Sequence, residues 1–303
     1  MIHRYSYENI TWLDVIHPTS EDVREIFTEC DIPAEFADDL TSMTPRTETK
    51  SQKGSVKITL DFPIVKRTDI DRAHEIKFIA TKKHLVTIRF EDITAVHSFT
   101  KQFEVMGLMK KTGSKAGGGH LLLTMLGHLY SSLDEKIDYL ESKIQDIEEN
   151  IFKNNEKEML LAISGVSRRL VSFRHSLMAH EAALDDLAKA NTIAFGKTFT
   201  GSTASIRLTY HHLSRRLVAL SGTLEELRDT NNALLTTKQN EVMKTLTIMA
   251  FITFPLTLFT SLFGMNTTDT PLVGSENGFW YITGIMVVVS IGFFIYFKYK
   301  NWI

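Results

Sequence analysis

The chain has 303 residues, with 34 Lys and Arg against 36 Asp and Glu and a formal net charge of −2. That near balance leaves no basic field or polybasic arm for a nucleic-acid backbone, so no nucleic-acid partner is expected. The single cysteine, Cys30, excludes an internal disulfide and a cysteine-built zinc site, and it fits a reducing compartment for the soluble part.

The length gives about two domains as a prior. The opening stretch MIHRYSYENITW lacks the basic-then-apolar pattern of a secretory signal. Residues 1–115 are expected to form an α/β domain with a hairpin-rich sheet. His17 to Glu21 reads as a helix start with Thr19 or Ser20 as the cap. SVKITLDFPIVK, Ser55 to Lys66, alternates Val56, Ile58, Leu60 and Phe62 as a strand does. Ile76–Ala80 and Leu85–Phe90 read as two more strands, joined by a turn at Lys82–Lys83. The domain carries no nucleophile elbow, dinucleotide loop or HExxH motif, so an enzyme is not expected. KTGSKAGGG, Lys111 to Gly119, lacks the Gly-Lys-Ser/Thr that opens a phosphate-loop helix, and it reads as a flexible linker with a domain boundary near residue 115.

Residues 116–200 are expected to form a helical layer, with helices from His120 to about Phe152 and from Lys157 to about Ala190. The stretch NTIAFGKTFTGS then turns into a stalk. His175 and His180 are five apart, and His211 and His212 are adjacent, so neither pair shares a helix face as metal ligands do. Ile206, Tyr210, Leu213, Leu217, Leu220, Leu224, Leu227, Asn231 and Leu234 alternate at four and three, a heptad seam that packs against a neighbouring helix. One continuous helix is expected from about Thr203 to about Gly264, on the order of 90 Å long, within a segment 201–266 that carries the stalk into a first membrane span.

Thr245–Met265 and Phe279–Phe297 carry no charge. Each is roughly 30 Å long as a helix, the thickness of a hydrocarbon core. Lys238 and Lys244 precede the first span, and Lys298 and Lys300 follow the second. The intervening loop, 267–278, has Asp269 and Glu276 and no Lys or Arg. The positive-inside rule places both termini in the cytoplasm. The second span is 279–297, with Phe279, Trp280 and Tyr281 as an outer aromatic anchor, and 298–303 is a basic cytosolic tail.

The first span bears a stripe of Asn240, Met243, Thr247, Ala250, Phe254, Thr257, Ser261 and Gly264. Small and hydroxyl residues in lipid mark either helix packing or a water-filled path, and the stripe alone leaves both open. Asp229 falls on the same register. Two helices cannot enclose a pore, so a conduit requires several copies. Pro255 frees a backbone carbonyl mid-span. Gly264 can end the helix, and an Asn beyond it tolerates the left-handed conformation.

This constellation resembles the CorA family of divalent cation transporters. The residues that carry the resemblance are Gly264-Met265-Asn266 at the end of the penultimate span, Pro271, Gly278-Phe279-Trp280, the tail KYKNWI, and, earlier, Trp12-Leu13-Asp14, Arg46 with Glu48, and Leu60-Asp61-Phe62-Pro63. The resemblance implies an α+β cytosolic domain followed by a helical layer with a long stalk helix and two transmembrane helices, assembled as a funnel-shaped homopentamer in the plasma membrane. It implies a pore lined by Asp229, Asn240, Met243, Leu246, Ala250, Phe254, Thr257 and Ser261, with a dewetting constriction near Met243, Leu246 and Phe254. It implies a filter at Gly264, Met265 and Asn266, where Asn266 contacts a hydrated ion through its first-shell water. Asp269 and Glu276 would concentrate cations outside. Mg²⁺ is the implied cargo, with Co²⁺ and Ni²⁺ as further cargoes, and it is also an implied regulatory ligand; no organic cofactor is implied. In well-known members a stalk carboxylate contributes to the regulatory site. The corresponding level here, Ser202 to Arg207, has no acid, and other acids, such as Asp61, Asp69 and Asp71, would have to substitute. A related zinc transporter of the ZntB type shares the signature, but the stripe has no His or Cys for zinc. A non-conducting membrane-anchored sensor or scaffold is the third reading.

Overall fold

The structure, a computed structural model, describes every residue except 8, 45–46, 64–72, 109–116, 154, 197–199, 266–275, 301 and 303, and every described side chain except those of 73, 105–108, 191–192 and 200. The chain divides into two units, Met1–Arg228 and Asp229–Ile303.

The first unit holds a six-stranded sheet in the order β1-β2-β6-β5-β4-β3. The strands are β1 (Ile2–Tyr7), β2 (Ile10–Ile16), β3 (Glu48–Gln52), β4 (Ser55–Pro63), β5 (Ala73–Ala80) and β6 (His84–Arg89). Only β2 and β6 pair in parallel; the other neighbours are antiparallel. The inward set read from β4 holds: Val56, Ile58, Leu60 and Phe62 are all buried on one face, with Phe78 and Leu85 beside them. The opposite face is covered too. Leu13, Val15, Ile79, Val86 and Ile88 pack with Ile26 and Cys30 of helix α1 (Ser20–Cys30) and with Phe36 and Leu40. Lys57 and Lys77, polar positions in an alternating strand, are therefore buried. Their ammonium groups are hydrogen-bonded rather than bare. Lys57 Nζ donates to the Asp38 carbonyl at 3.0 Å, and Lys77 Nζ donates to the carbonyls of Asp39 and Ser42. A buried charge is tolerable only with such partners.

The parallel pair is fastened by a buried polar ladder. Arg89 Nη2 donates to Asp14 Oδ2 at 2.9 Å, Thr87 Oγ1 to Asp14 Oδ1 at 2.7 Å, and Trp12 Nε1 to Thr87 Oγ1 at 3.0 Å. Asp14 and Arg89 are each 4% exposed. Helix α1 opens on Thr19, one of the two caps expected. Asp22 completes a capping box, its N–H donating to Thr19 Oγ1 at 3.1 Å while its carboxylate accepts from the Thr19 N–H at 2.9 Å.

Helices α2 (Thr94–Leu108), α3 (Gly118–Asn150), α4 (Glu156–Met178), α5 (His180–Phe195) and the start of α6 (Thr200–Phe263) bury their apolar faces on the first face of the sheet. The expected seam on α6 is buried from Ile206 through Leu224, with Leu227 half-buried against the same core. Asn231 is buried as well, and Leu234 is half-buried. Arg216 of α6 pairs with three carboxylates on consecutive turns of α3: Asp134, Asp138 at 2.6 Å and Glu141 at 2.6 Å.

Three expectations are corrected here. The single helix expected from Lys157 to Ala190 is two, because the chain breaks at Ala179 and sends His180 into the core. The His180 Nε2–H donates to the Asp61 carbonyl at 2.9 Å, since a carbonyl only accepts; Nδ1 therefore accepts from the Tyr130 hydroxyl at 2.8 Å. The turn expected at NTIAFGKTFTGS begins later, for α5 runs through Phe195 and ends at Gly196, whose φ of 92° is left-handed. The glycines of KTGSKAGGG are not all linker. Residues 111–116 lie outside the described residues, but Gly118 opens α3 directly beneath the β5–β6 turn. Its N–H donates to the Lys82 carbonyl at 3.2 Å, and a Cβ there would come within 2.2 Å of the His84 carbonyl oxygen. Glycine is used at 118 for close approach.

Two stability predictions follow from this packing. Asp14→Ala leaves the Arg89 guanidinium buried beside a vacancy and costs about 3–5 kcal/mol, read as a lowered thermal midpoint of the detergent-solubilised chain. Burial pushes the His180 imidazole down from 6.5 to about 4, against the raising effect of its bond to the Asp61 carbonyl. Between those values the unfolded chain binds more protons than the folded one. Stability from the neutral imidazole is thus complete above about pH 6.5 and declines toward pH 4, by at most about 3 kcal/mol. Thermal midpoints measured from pH 7 to pH 4.5 are expected to fall less steeply in His180→Gln than in the wild type.

Candidate functional site

The second unit contains every residue that the sequence marks for ion passage. It comprises the last part of α6 and helix α7 (Gly278–Tyr299). Both helices have windows long and apolar enough to cross a membrane, and only 6% of each window is buried within the protomer. A core helix of a soluble protein would be covered by its own chain. These surfaces are left for lipid or for other copies.

The stripe lies along one side of α6. At about 100° per residue, Asn240, Met243, Leu246, Ala250, Phe254, Thr257 and Ser261 fall within about 60° of a common line. Asn240, Thr257 and Ser261 are exposed, Met243 and Leu246 are each 55% exposed, Phe254 is 72% exposed, and Ala250 is half-buried. Asp229 is exposed, and so is Glu276 just before α7. Asn266 and Asp269 lie outside the described residues. The structure thus brings the helix positions onto one side of α6, exposed except at Thr247 and Ala250, which are half-buried.

The hydroxyls are anchored in a way the sequence does not disclose. Thr247 Oγ1 donates to the Met243 carbonyl at 2.8 Å and Thr257 Oγ1 to the Thr253 carbonyl at 2.9 Å. Beside the stripe, Thr253 donates to the Met249 carbonyl at 2.9 Å and Thr260 to the Thr257 carbonyl at 2.8 Å. Each hydroxyl proton is committed to the helix's own backbone, so what each oxygen offers outward is lone pairs. Pro255, inside the helix, has no N–H to give the carbonyl one turn before it.

At the end of α6, the Gly264 N–H closes on the Thr260 carbonyl at 2.9 Å and the Met265 N–H on Leu262 at 3.4 Å. Gly264 ends the helix as expected, and it is not left-handed. A Cβ there would lie 2.9 Å from the Thr260 oxygen, so glycine serves a tight approach rather than an unusual dihedral. Gly264 and Met265 are both exposed.

Another side of α6, which the sequence reading did not single out, is the one that packs. Ile248 and Phe297 are the large apolar side chains of the two spans that are buried among the described residues, at 9% and 5% exposure. The Phe297 ring lies 6.1 Å from Phe251 and 5.8 Å from Trp302. These positions read as ordinary apolar residues of a span, and only the backbone's course after α7 brings Trp302 to them.

Elsewhere, Asp61 sits half-buried on β4; burial, and secondarily the charge of Glu75, raises its pKa. Asp69 and Asp71 lie outside the described residues. Among the described residues, no group of three or more His, Cys, Asp or Glu is placed to hold a metal ion. His180 is a core residue.

A family model described as CorA-like Mg²⁺ transporter protein matches residues 7–299. The chain belongs to the CorA-like Mg²⁺ transporter family. Curated relatives include the cobalt/magnesium transport protein CorA of Methanocaldococcus jannaschii, 26% identical over 226 residues, which are 72% of this chain and 68% of that one. The protein of the same name from Thermotoga maritima is 26% identical over 196 residues, 62% of this chain and 54% of that one. The complete structure of the CorA magnesium transporter from Methanocaldococcus jannaschii superposes with a TM-score of 0.83 at 22% identity, covering 99% of this chain and 94% of that chain. The resemblance read from the sequence holds, and so does the fold class: a CorA-like α/β region, a long helix and two apolar helices. The relatives named here are transport proteins rather than enzymes.

Gly264→Ala must displace the Thr260 carbonyl and is expected to lower stability by about 1–3 kcal/mol. Gly127→Ala is the control: its methyl group meets nothing within 4 Å inside α3, and it is expected to raise stability by about 1 kcal/mol. Thermal midpoints of the detergent-solubilised variants distinguish the two signs.

Proposed function

We propose that this CorA-family chain assembles as a homopentamer in the plasma membrane, with both termini cytoplasmic, and conducts hydrated Mg²⁺ inward along the α6 stripe. Co²⁺ and Ni²⁺ are further cargoes on this reading. The observation that carries it is the largely exposed stripe on which the Thr247 and Thr257 hydroxyl protons are tied back to the helix. Mg²⁺ sheds its water reluctantly and travels best with its first shell intact. The waters of that shell point their hydrogens outward, so they need acceptors. Thr247 and Thr257 offer lone pairs and no competing proton.

Five Asn266 amides at the outer end would accept from the same water shell without adding charge, which keeps binding weak enough for release. Gly264 and Met265 bring the chain to that point. Asp269 and Glu276 raise the local cation concentration outside, and Asp229 does so at the inner mouth. Met243, Leu246 and Phe254 form a constriction that closes by dewetting. An inside-negative potential of 100 mV contributes about 4.6 kcal/mol to the entry of a divalent ion. A regulatory Mg²⁺ bound to the cytoplasmic part is compatible with this scheme.

The test is uptake into liposomes holding the purified protein and a Mg²⁺-sensitive dye, with the potential imposed. The wild type is expected to admit Mg²⁺, and Asn266→Ala to reduce the initial rate at least about tenfold, the equivalent of about 1.4 kcal/mol. Mg²⁺ entry unaffected by Asn266→Ala refutes the filter. Zinc flux that follows a proton gradient, with little Mg²⁺ entry, moves the assignment to a ZntB-type zinc transporter. No flux from assembled protein leaves a membrane-anchored sensor or scaffold.

A further inference from the structure

We propose that Trp302 and Phe297 form an aromatic latch that fixes the rotation of α6 at the level of its constriction, making Trp302 a positioning residue for the gate. The proposal rests on the pore reading above. Its geometry lies within the second unit. A closing turn ends α7. The Lys300 N–H donates to the Tyr296 carbonyl at 3.0 Å, and the Trp302 N–H donates to the Phe297 carbonyl at 2.9 Å. That turn lays the indole over the Phe297 ring, with centroids 5.8 Å apart and planes at 24°. Phe297 also meets its neighbour Tyr296 edge-on at 5.6 Å, and its ring contact to α6 is edge-on to Phe251, at 6.1 Å and 63°. Stacked and edge-to-face pairs of this kind add to plain area burial, and their geometry is specific.

The position of the latch matters more than its strength. The large apolar side chains of the stripe are more than half exposed within the protomer, Met243 and Leu246 at 55% and Phe254 at 72%; Phe251, which Phe297 meets by its edge, is 55% exposed as well. Ile248 and Phe251 lie between them along α6 but about 140° and about 80° around the helix from the stripe's midline. The latch therefore grips α6 from beside the constriction without entering the path. A dewetting gate works only while its apolar side chains point at the axis together. Rotation of α6 would swing Phe254 aside and bring hydroxyls such as Thr253 toward the axis, which favours water. A restraint on rotation, located at this height, is what such a gate requires.

Trp302→Ala is expected to increase the initial rate of potential-driven Mg²⁺ entry into liposomes several-fold, with the half-saturating Mg²⁺ concentration and the order of ion preference unchanged. Trp302→Phe keeps a ring over Phe297 and is expected to restore most of the wild-type rate. A general loss of structure would lower the rate and would not be rescued by Phe. The stack is read separately from transport: the difference in emission between the wild type and Trp302→Phe isolates this indole, and Phe297→Ala is expected to shift that emission to the red and to increase its quenching by acrylamide. Unchanged or slower entry in Trp302→Ala, with the wild type conducting, overturns the latch alone. An emission indifferent to Phe297→Ala overturns the stack. No Mg²⁺ entry in the wild type overturns the pore reading, and the gate-positioning role with it.

Discussion

A helix that crosses hydrocarbon must satisfy its backbone polar groups from within, because no water is there to do it. Much about α6 follows from that constraint. Its hydroxyls do not reach outward as donors but fold back on carbonyls one turn earlier, from Thr245 through Thr260. The arrangement hides the donors and leaves the acceptors exposed. In a lipid-facing anchor these lone pairs would serve nothing. On the proposed path they meet the outward-pointing hydrogens of a hydrated divalent ion. On that proposal, the same feature that makes the helix compatible with a membrane would supply the lining for a cation that keeps its water.

The first unit solves a related problem by different means. Its sheet is covered on both faces, so polar side chains that strand alternation would send to water are enclosed. Asp14 and Arg89 neutralise one another, Lys57 and Lys77 are held by backbone carbonyls, and His180 is kept neutral between Tyr130 and Asp61. Buried polar groups of this kind tie elements together because each loses more if its partner leaves than it gains by being present. His180 joins α3, β4 and the start of α5 at one point, and Arg216 binds α6 to three turns of α3. The unit that begins α6 is therefore cross-braced by directional contacts as well as by apolar packing.

What was legible in the sequence followed from periodicity and purity. The seam from Ile206 onward, the uncharged windows and the alternation of Val56, Ile58, Leu60 and Phe62 each report a face, and the structure buries or exposes those faces accordingly. Strand β3 lies at an edge of the sheet and is short, and β2 is buried on both faces, so neither shows clean alternation; β1 alternates at Arg4, Tyr5, Ser6 and Tyr7, and the sequence reading did not single it out. The break at Ala179 was invisible because α4 and α5 keep a helical pattern across it; only the hydrogen bonds of His180 explain the interruption. Gly118 looked like linker flexibility, and Gly264 like the end of a helix. Both are places where another backbone carbonyl comes too close for a Cβ. Distance between chain segments leaves no mark in a local pattern.

The faces of α6 in the second unit also explain why so little of it is buried. One side carries the exposed stripe, a second carries the buried Ile248 and the Phe251 ring that meets Phe297, and the rest is apolar and open. A helix that only anchored a soluble domain could be uniformly apolar, since lipid makes no distinction among its sides. Segregation costs packing within the protomer, because the stripe side is withheld from α7. That cost is reasonable where the withheld side has its own occupant: water and ions in an assembly of copies. On this view the sparse contact between α6 and α7 is not a weakness of the hairpin. Concentrating the contact around Phe297 keeps the path side free while still fixing the angle at which it is presented.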